Sequence, residues 1–266
     1  NLGAVDAFAG RGGLLKPLKG GTYIVGAPML EDLQRARYGE HACNLGAIIA
    51  ANLAEQYRKP AYVVDPVVVD ELMDEARLTG LPEITRKSAF HALNQKAAAM
   101  RAAAEMGIEY KKGRFIVAHL GGGISVGAHD NGRVVDVNNA LEEGPFSPER
   151  AGSLPAGQLV ELCFSGRYTK EEIKKLLVGK GGLFAYTGTT DCRKVEADAV
   201  NDENAGKVLA AMIYRVSVEI CARAAALCGK IDCVVITGGL AHSSYIVDEI
   251  KKRVSFLGPV TVYPGE

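Results

Sequence analysis

The 266-residue chain exceeds the ~150 residues typical of one domain and predicts about two. Its 31 Lys+Arg balance 31 Asp+Glu, which argues against a basic nucleic-acid footprint or a polybasic membrane patch. Hydrophobic residues at 48% beside 23% charged describe a folded chain with a sizeable core, and exclude disordered and collagenous classes.

Short β-branched runs bounded by Gly, Pro or charge predict strands at 22–25, 61–64, 114–118 and 233–236. Between them, helical patterns cover 31–38, 41–57, 88–106, 158–164, 170–177, 200–227 and 243–254. Residues 124–129 and 133–137 flank Asp130, Asn131 and Gly132, where Asn-Gly favours a tight hairpin turn. The mixture predicts an α/β fold whose sheet also holds an antiparallel pair. A domain boundary is expected near Pro66, giving units 1–68 and 69–266. The longest mostly apolar stretch, 42–54, carries Asn44 and Asn52 and falls short of the ~20 residues of a bilayer span. The 6 cysteines form no C-x-x-C pair and read as reduced, mostly buried thiols of a cytoplasmic protein. No basic-then-apolar leader opens the chain.

Three glycine clusters invite a phosphate. His119, Leu120, Gly121, Gly122 and Gly123 join two strands, and their backbone amides could cradle an anion or simply turn a hairpin. Gly238 and Gly239 follow a buried strand and open through Leu240, Ala241 and His242 into a helix at Ser243, which leaves room for a nucleotide at the helix N-terminus or is simply a tight turn. The stretch 181–191 is rich in Gly and Thr and reads as a phosphate loop or a surface connection. Four polar residues stand at element edges. Arg11 lies in a glycine turn with Gly12 and Gly13, and Asp65 ends a strand before Pro66. His91 is placed near the third position of a helix capped by Ser88, and Arg150 follows an apparent helix start at Ser147 and Pro148. No Walker, zincin or nucleophile-elbow motif is present. Two arginines, a carboxylate, a histidine and glycine turns suit phosphoryl transfer, which needs cations, a Mg²⁺-holding carboxylate and backbone amides around phosphate.

At this point the motifs resemble those of butyrate kinases, relatives of acetate kinase in the superfamily of sugar kinases, actin and heat-shock chaperones. The matching segments begin at Arg11, Phe90, His119, Val135, Gly144 and Thr237, and the resemblance runs along the whole chain. It implies a two-domain actin-like (ribonuclease H-like) kinase fold closing over a nucleotide. It also implies transfer of a phosphoryl group between ATP and a short-chain carboxylate, giving acyl phosphate and ADP, with Mg²⁺ as cofactor and a homo-oligomeric assembly. By resemblance, Arg11 holds the carboxylate, and Asp65 stands near Mg²⁺. His91 and Arg150 stabilise the travelling phosphoryl, and Gly12, Gly13 and Phe90 border the acid. His119 to Gly123 form a phosphate loop, Asp191, Cys192 and Arg193 meet base and ribose, and Gly238 to Ser243 form the adenosine loop. The small Gly12 and Gly13 are expected to leave room for an acid longer than acetate. Convergence of Arg11, His91 and Arg150 beside Asp65 is the central expectation.

The match has gaps. The family's Asn-Pro-Gly-Ser-Thr-like phosphate hairpin has no counterpart, although Thr187, Gly188, Thr189 and Thr190 imitate its composition. The family's closing helix would begin after Glu266, leaving only that residue to replace its acidic group. A chain starting at Asn1 is therefore expected to be a piece, with an incomplete first domain, exposed strand edges and turnover reduced by roughly 10³ or more. The alternative function is a nucleotide-binding unit that has lost catalysis.

Overall fold

Residues 2–265 are described by a computed structural model; Glu266 lies outside them. The chain falls into two units, Asn1–Lys96 and Ala97–Glu266. In chain order the first carries β1 (Phe8–Gly10), β2 (Thr22–Ile24), α1 (Ala27–Gln34), α2 (Asn44–Tyr57), β3 (Ala61–Val64) and the single turn α3 (Asp74–Arg77). The sheet order is β1-β3-β2, with β1 parallel and β2 antiparallel to β3. Helix α1 starts earlier than its apolar pattern indicates because Pro28 supplies a preset φ in its first turn. It stops short of Tyr38 because Ala36 turns to φ 47. Helix α2 lays Ala50 and Ala54 against Phe8 and Ala61, and Ala47 against Val63, Leu33 and Leu15. Small residues on that face let helix and sheet approach closely.

The division lies at Lys96 rather than near residue 68, because the chain after β3 folds back on the first unit. Leu18 bridges Val69, the Phe90 N–H donates to the Val67 carbonyl at 3.1 Å, and the Ser88 hydroxyl donates to the Val69 carbonyl at 2.6 Å. Arg77 forks onto Asp70 with bonds of 2.7 and 2.6 Å, pinning the long connection.

Helix α4 (Ala92–Glu105) carries the chain into the second unit. There follow β4 (Arg114–Leu120), β5 (Ile124–Asp130), β6 (Arg133–Val137), α5 (Ala156–Cys163), α6 (Lys170–Leu177), α7 (Leu183–Thr187), α8 (Cys192–Asp198), α9 (Glu203–Ala226), β7 (Cys233–Gly238), α10 (Ser244–Val254) and β8 (Val260–Pro264). The five strands order as β6-β5-β4-β7-β8, antiparallel on the β4–β5–β6 side and parallel on the other. Alternation divides β4 between two cores. Phe115 and Val117 meet Ala98, Ala99, Ala102 and Ala103 of α4, while Ile116, Ala118 and Leu120 meet Leu209, Met212, Ile213 and Ile220 of α9. A strand buried on both faces reads as the continuous apolar run seen at 115–118.

Three local expectations change. No helix starts at Ser147 and Pro148; these residues form an irregular loop in which the Ser147 N–H donates to the Arg150 carbonyl at 3.0 Å. Ser88 does not cap α4, since its hydroxyl is spent on Val69; His91 directly precedes the helix, and its carbonyl accepts from the Gln95 N–H at 2.9 Å. The cysteines are free as expected, but only Cys192 and Cys233 are buried, while Cys163 and Cys228 are exposed. Cys163 ends the short surface helix α5, and Cys228 takes φ 51 just beyond α9, positions that face water.

Candidate active site

Arg11 follows β1 directly and is exposed. The glycines after it do not open space. A side chain on Gly12 would strike Pro66, its nearest backbone atom 3.2 Å away, and one on Gly13 would fall 2.6 Å from Asn44 Cα and 2.7 Å from Leu33 Cδ2. Pro66, Leu33 and Asn44, not an acid, fill that room, and the Asn44 side-chain oxygen accepts the Leu14 N–H at 2.8 Å. Acid length is therefore not set by missing side chains at 12 and 13.

Asp65 leaves β3 in a left-handed conformation, φ 40, and is buried. Such a conformation is uncommon for a residue with a side chain and clusters at functional positions. Its carboxylate accepts the Gly21 N–H at 2.8 Å, while its own N–H donates to the Gly21 carbonyl at 2.9 Å. Lys96 Nζ lies 4.0 Å from Asp65 and 3.0 Å from Glu71, and all three side chains are more than nine-tenths buried. Burial pushes the Asp65 carboxyl above its ordinary range, with the Gly21 amide and Lys96 opposing. Phe90 is buried beside this connection and His91 sits at the start of α4. Among the described residues no set of three His, Cys, Asp or Glu forms a metal cage. Mg²⁺ needs none: it usually takes one or two carboxylates, several waters and substrate phosphates. A single carboxylate held by a backbone amide fits that demand.

In the second unit the Gly121–Gly123 turn and the loop before Arg150 are one construction. The Ser147 hydroxyl donates to the Gly122 carbonyl at 2.6 Å. The Arg150 guanidinium lies against Gly123, where an added Cβ would come within 2.5 Å of Cζ. Arg150 Nη1 donates to the Ala140 carbonyl at 2.9 Å, and its Nε is buried without a hydrogen-bond partner. Burial lowers the Arg150 pKa, with Glu149 opposing. A buried guanidinium donor left without an acceptor is costly.

The Gly238–Ser243 segment and α8 enclose a cavity of about 970 Å³. Asp191, Cys192, Arg193, Gly239, Leu240, His242 and Ser243 line it, joined by Glu196. Asp191 caps α8 by accepting the Arg193 N–H at 3.1 Å, and Ser243 caps α10 by accepting the Ile246 N–H at 3.1 Å. Within the stretch 181–191, α7 occupies residues 183–187. Of the other expected contacts, Leu120 and Ala241 belong to the apolar core, Gly238 ends β7, and His119 is buried within β4 beside Gly121. Burial, helped by Glu196 and Asp191, pushes the Cys192 thiol up to about 12, so it lines the cavity as a neutral, apolar group. Sequence reasoning passed over Ser147, Ala140 and Glu196. Ser147 and Ala140 stood inside recognised motifs; Glu196 gave no signal, because one more glutamate on a charged helix looks ordinary.

The acetokinase family model matches residues 67–261. Butyrate kinase 2 of Clostridium acetobutylicum is 55% identical over 268 residues, covering 100% of this chain and 75% of that protein. The chain belongs to the acetokinase family. The solved acetate kinase of Porphyromonas gingivalis superposes with TM-score 0.84 at 22% identity, over 98% of this chain and 75% of its own. A propionate kinase from Francisella tularensis gives 0.76 at 20%, over 94% and 74%. At that identity the likeness speaks for the fold, the actin-like kinase fold that the motifs implied. The family consists of the carboxylate kinases those motifs resembled.

Proposed function

We propose that the chain transfers a phosphoryl group between ATP and a short-chain carboxylate, butyrate or a branched relative, reversibly forming acyl phosphate and ADP in the cytoplasm. The carrying observation is Arg150, seated on Gly123 with its Nε buried and unpartnered beside a glycine turn. The choice of acid rests on the 55% identity with butyrate kinase 2.

The chemistry follows from charge. A loose phosphoryl-transfer transition state spreads negative charge over three equatorial oxygens, so catalysis is mainly positioning and electrostatic stabilisation. Arg11 orients the carboxylate as nucleophile through the planar fork of its guanidinium. His91 and Arg150 donate to the equatorial oxygens. Gly121, Gly122 and Gly123 offer backbone amides to the nucleotide phosphates, and the 970 Å³ cavity takes the nucleoside. Asp65 would hold Mg²⁺, which supplies charge neutralisation on the β- and γ-phosphates.

Hydroxylamine trapping tests this directly. The chain with ATP and butyrate is expected to yield acyl hydroxamate, with kcat/KM for butyrate above that for acetate. Comparable values for the two acids would remove the assignment of the acid. Tight ADP binding without hydroxamate would favour the alternative, a nucleotide-binding unit that has lost turnover.

A further inference from the structure

Two carboxylates line the 970 Å³ cavity, and they differ in what is left of them. Asp191 is spent. Its Oδ1 accepts from Arg193 N and Nε, both at 3.1 Å, and its Oδ2 accepts Arg193 Nη2 at 3.1 Å. Glu196, in the next turn of α8, is half-buried and has no cationic partner among the described residues. Its Oε2 accepts the Ser243 hydroxyl at 2.6 Å, and that hydroxyl in turn accepts the Ile246 N–H at 3.1 Å. The cap of α10 thereby fixes the Glu196 side chain, leaving Oε1 without a bond among the described residues.

A bare carboxylate in the wall of an anion's site repels the phosphates unless it faces the other end of the ligand and takes a donor from it. The phosphates have their own place at the Gly121–Gly123 turn. Gly239 opens the same cavity with no atom within 4 Å of an added Cβ, and its segment leads directly to Ser243 four residues on. The ribose is the part of a nucleotide joined to its phosphates, and it carries two hydroxyl donors. Cys192, Leu240 and Ile246 supply the apolar wall suited to the flat face of a base.

We propose that Glu196, held by Ser243, is a specificity-determining residue that accepts a ribose hydroxyl and selects ribonucleotides over deoxyribonucleotides. It rests on the nucleotide-binding reading of this cavity and adds to it a residue and a discrimination. Hydrogen bonds to a charged group are strong, so removing the hydroxyl should weaken binding by about tenfold or more.

The experiment is calorimetric titration of the full chain with ADP, 2′-deoxy-ADP, 3′-deoxy-ADP and IDP. Wild-type protein should bind ADP and IDP alike and one deoxy nucleotide about tenfold more weakly. Glu196→Ala should bind ADP and that deoxy nucleotide equally, and Glu196→Gln should discriminate less than wild type. Equal binding of all deoxy nucleotides by wild-type protein needs no variant and overturns the proposal. So does deoxy discrimination that survives intact in Glu196→Ala, or a tenfold loss with IDP alone, which would place the contact on the base amine. If wild-type protein binds no ADP at all, the nucleotide-binding reading itself fails and this inference with it.

Discussion

The glycine turn after β1 and the glycine turn at Gly239 look alike in sequence and are opposite in structure. At Gly12 and Gly13 the absent side chains are replaced by Pro66, Asn44 and Leu33, so the glycines serve backbone packing. At Gly239 nothing lies within 4 Å of an added Cβ, and the residue borders a cavity. Gly123 is a third condition, since its missing side chain is replaced by the guanidinium of Arg150. Glycine thus permits three different neighbours: protein backbone, a functional side chain, or a ligand. Only the first has its cost in stability, and only the other two have it in activity.

The largest effect should come from Gly13→Ala. A new methyl 2.6 Å from Asn44 Cα cannot be relieved by a side-chain rotation, and it also disturbs the Leu14 N–H bond to Asn44. Overpacking and the lost bond together should cost about 2–4 kcal/mol, read as a lower denaturation midpoint. Unchanged stability would mean that the turn after β1 is as open as the one at Gly239. Next comes Gly123→Ala, which must displace the Arg150 guanidinium from its seat. We expect kcat to fall by about 10²–10³, as for loss of one oxyanion donor, with stability changed far less. A loss of stability with kcat preserved would place Gly123 in the packing class beside Gly13.

How much of this was legible follows from where the information resides. The mixed sheet could be read because Asn131 and Gly132 mark a hairpin, and because β4 and β7 contain the apolar runs 115–118 and 233–236. The strands β1 and β8 could not: Phe8-Ala-Gly has no β-branched residue, and 260–264 ends in a proline that demotes a strand pattern. The cavity-lining residues came mostly from motif resemblance, and of its members only Glu196 was passed over entirely among the carboxylates. Its distinction is a hydrogen bond to Ser243, 47 residues away, which no local pattern records. The same holds for the meaning of Gly12 and Gly13. A sequence shows that a side chain is missing but not what stands in its place.

Smaller effects sharpen the comparison at its open end. Gly239→Ala should leave the denaturation midpoint within about 0.5 kcal/mol, because a Cβ there touches nothing, while weakening ADP binding severalfold. A cavity that carries no nucleotide would leave ADP affinity unchanged. The smallest effect concerns the two thiols beside these turns, Cys43 next to Asn44 and Cys192 in the cavity wall. Burial raises both, with Arg11 opposing at Cys43, and pushes Cys192 up to about 12. A thiol whose folded pKa lies above its unfolded value contributes stability that is complete below about pH 8.5 and fades as pH climbs toward the folded value. At pH 8, iodoacetamide should therefore modify exposed Cys163 and Cys228 first and spare Cys192, as read by peptide mass mapping. Alkylation of Cys192 as fast as Cys163 would show that its thiolate is reachable. The wall that Glu196 and Cys192 share would then be wet rather than the apolar surface on which a base stacks.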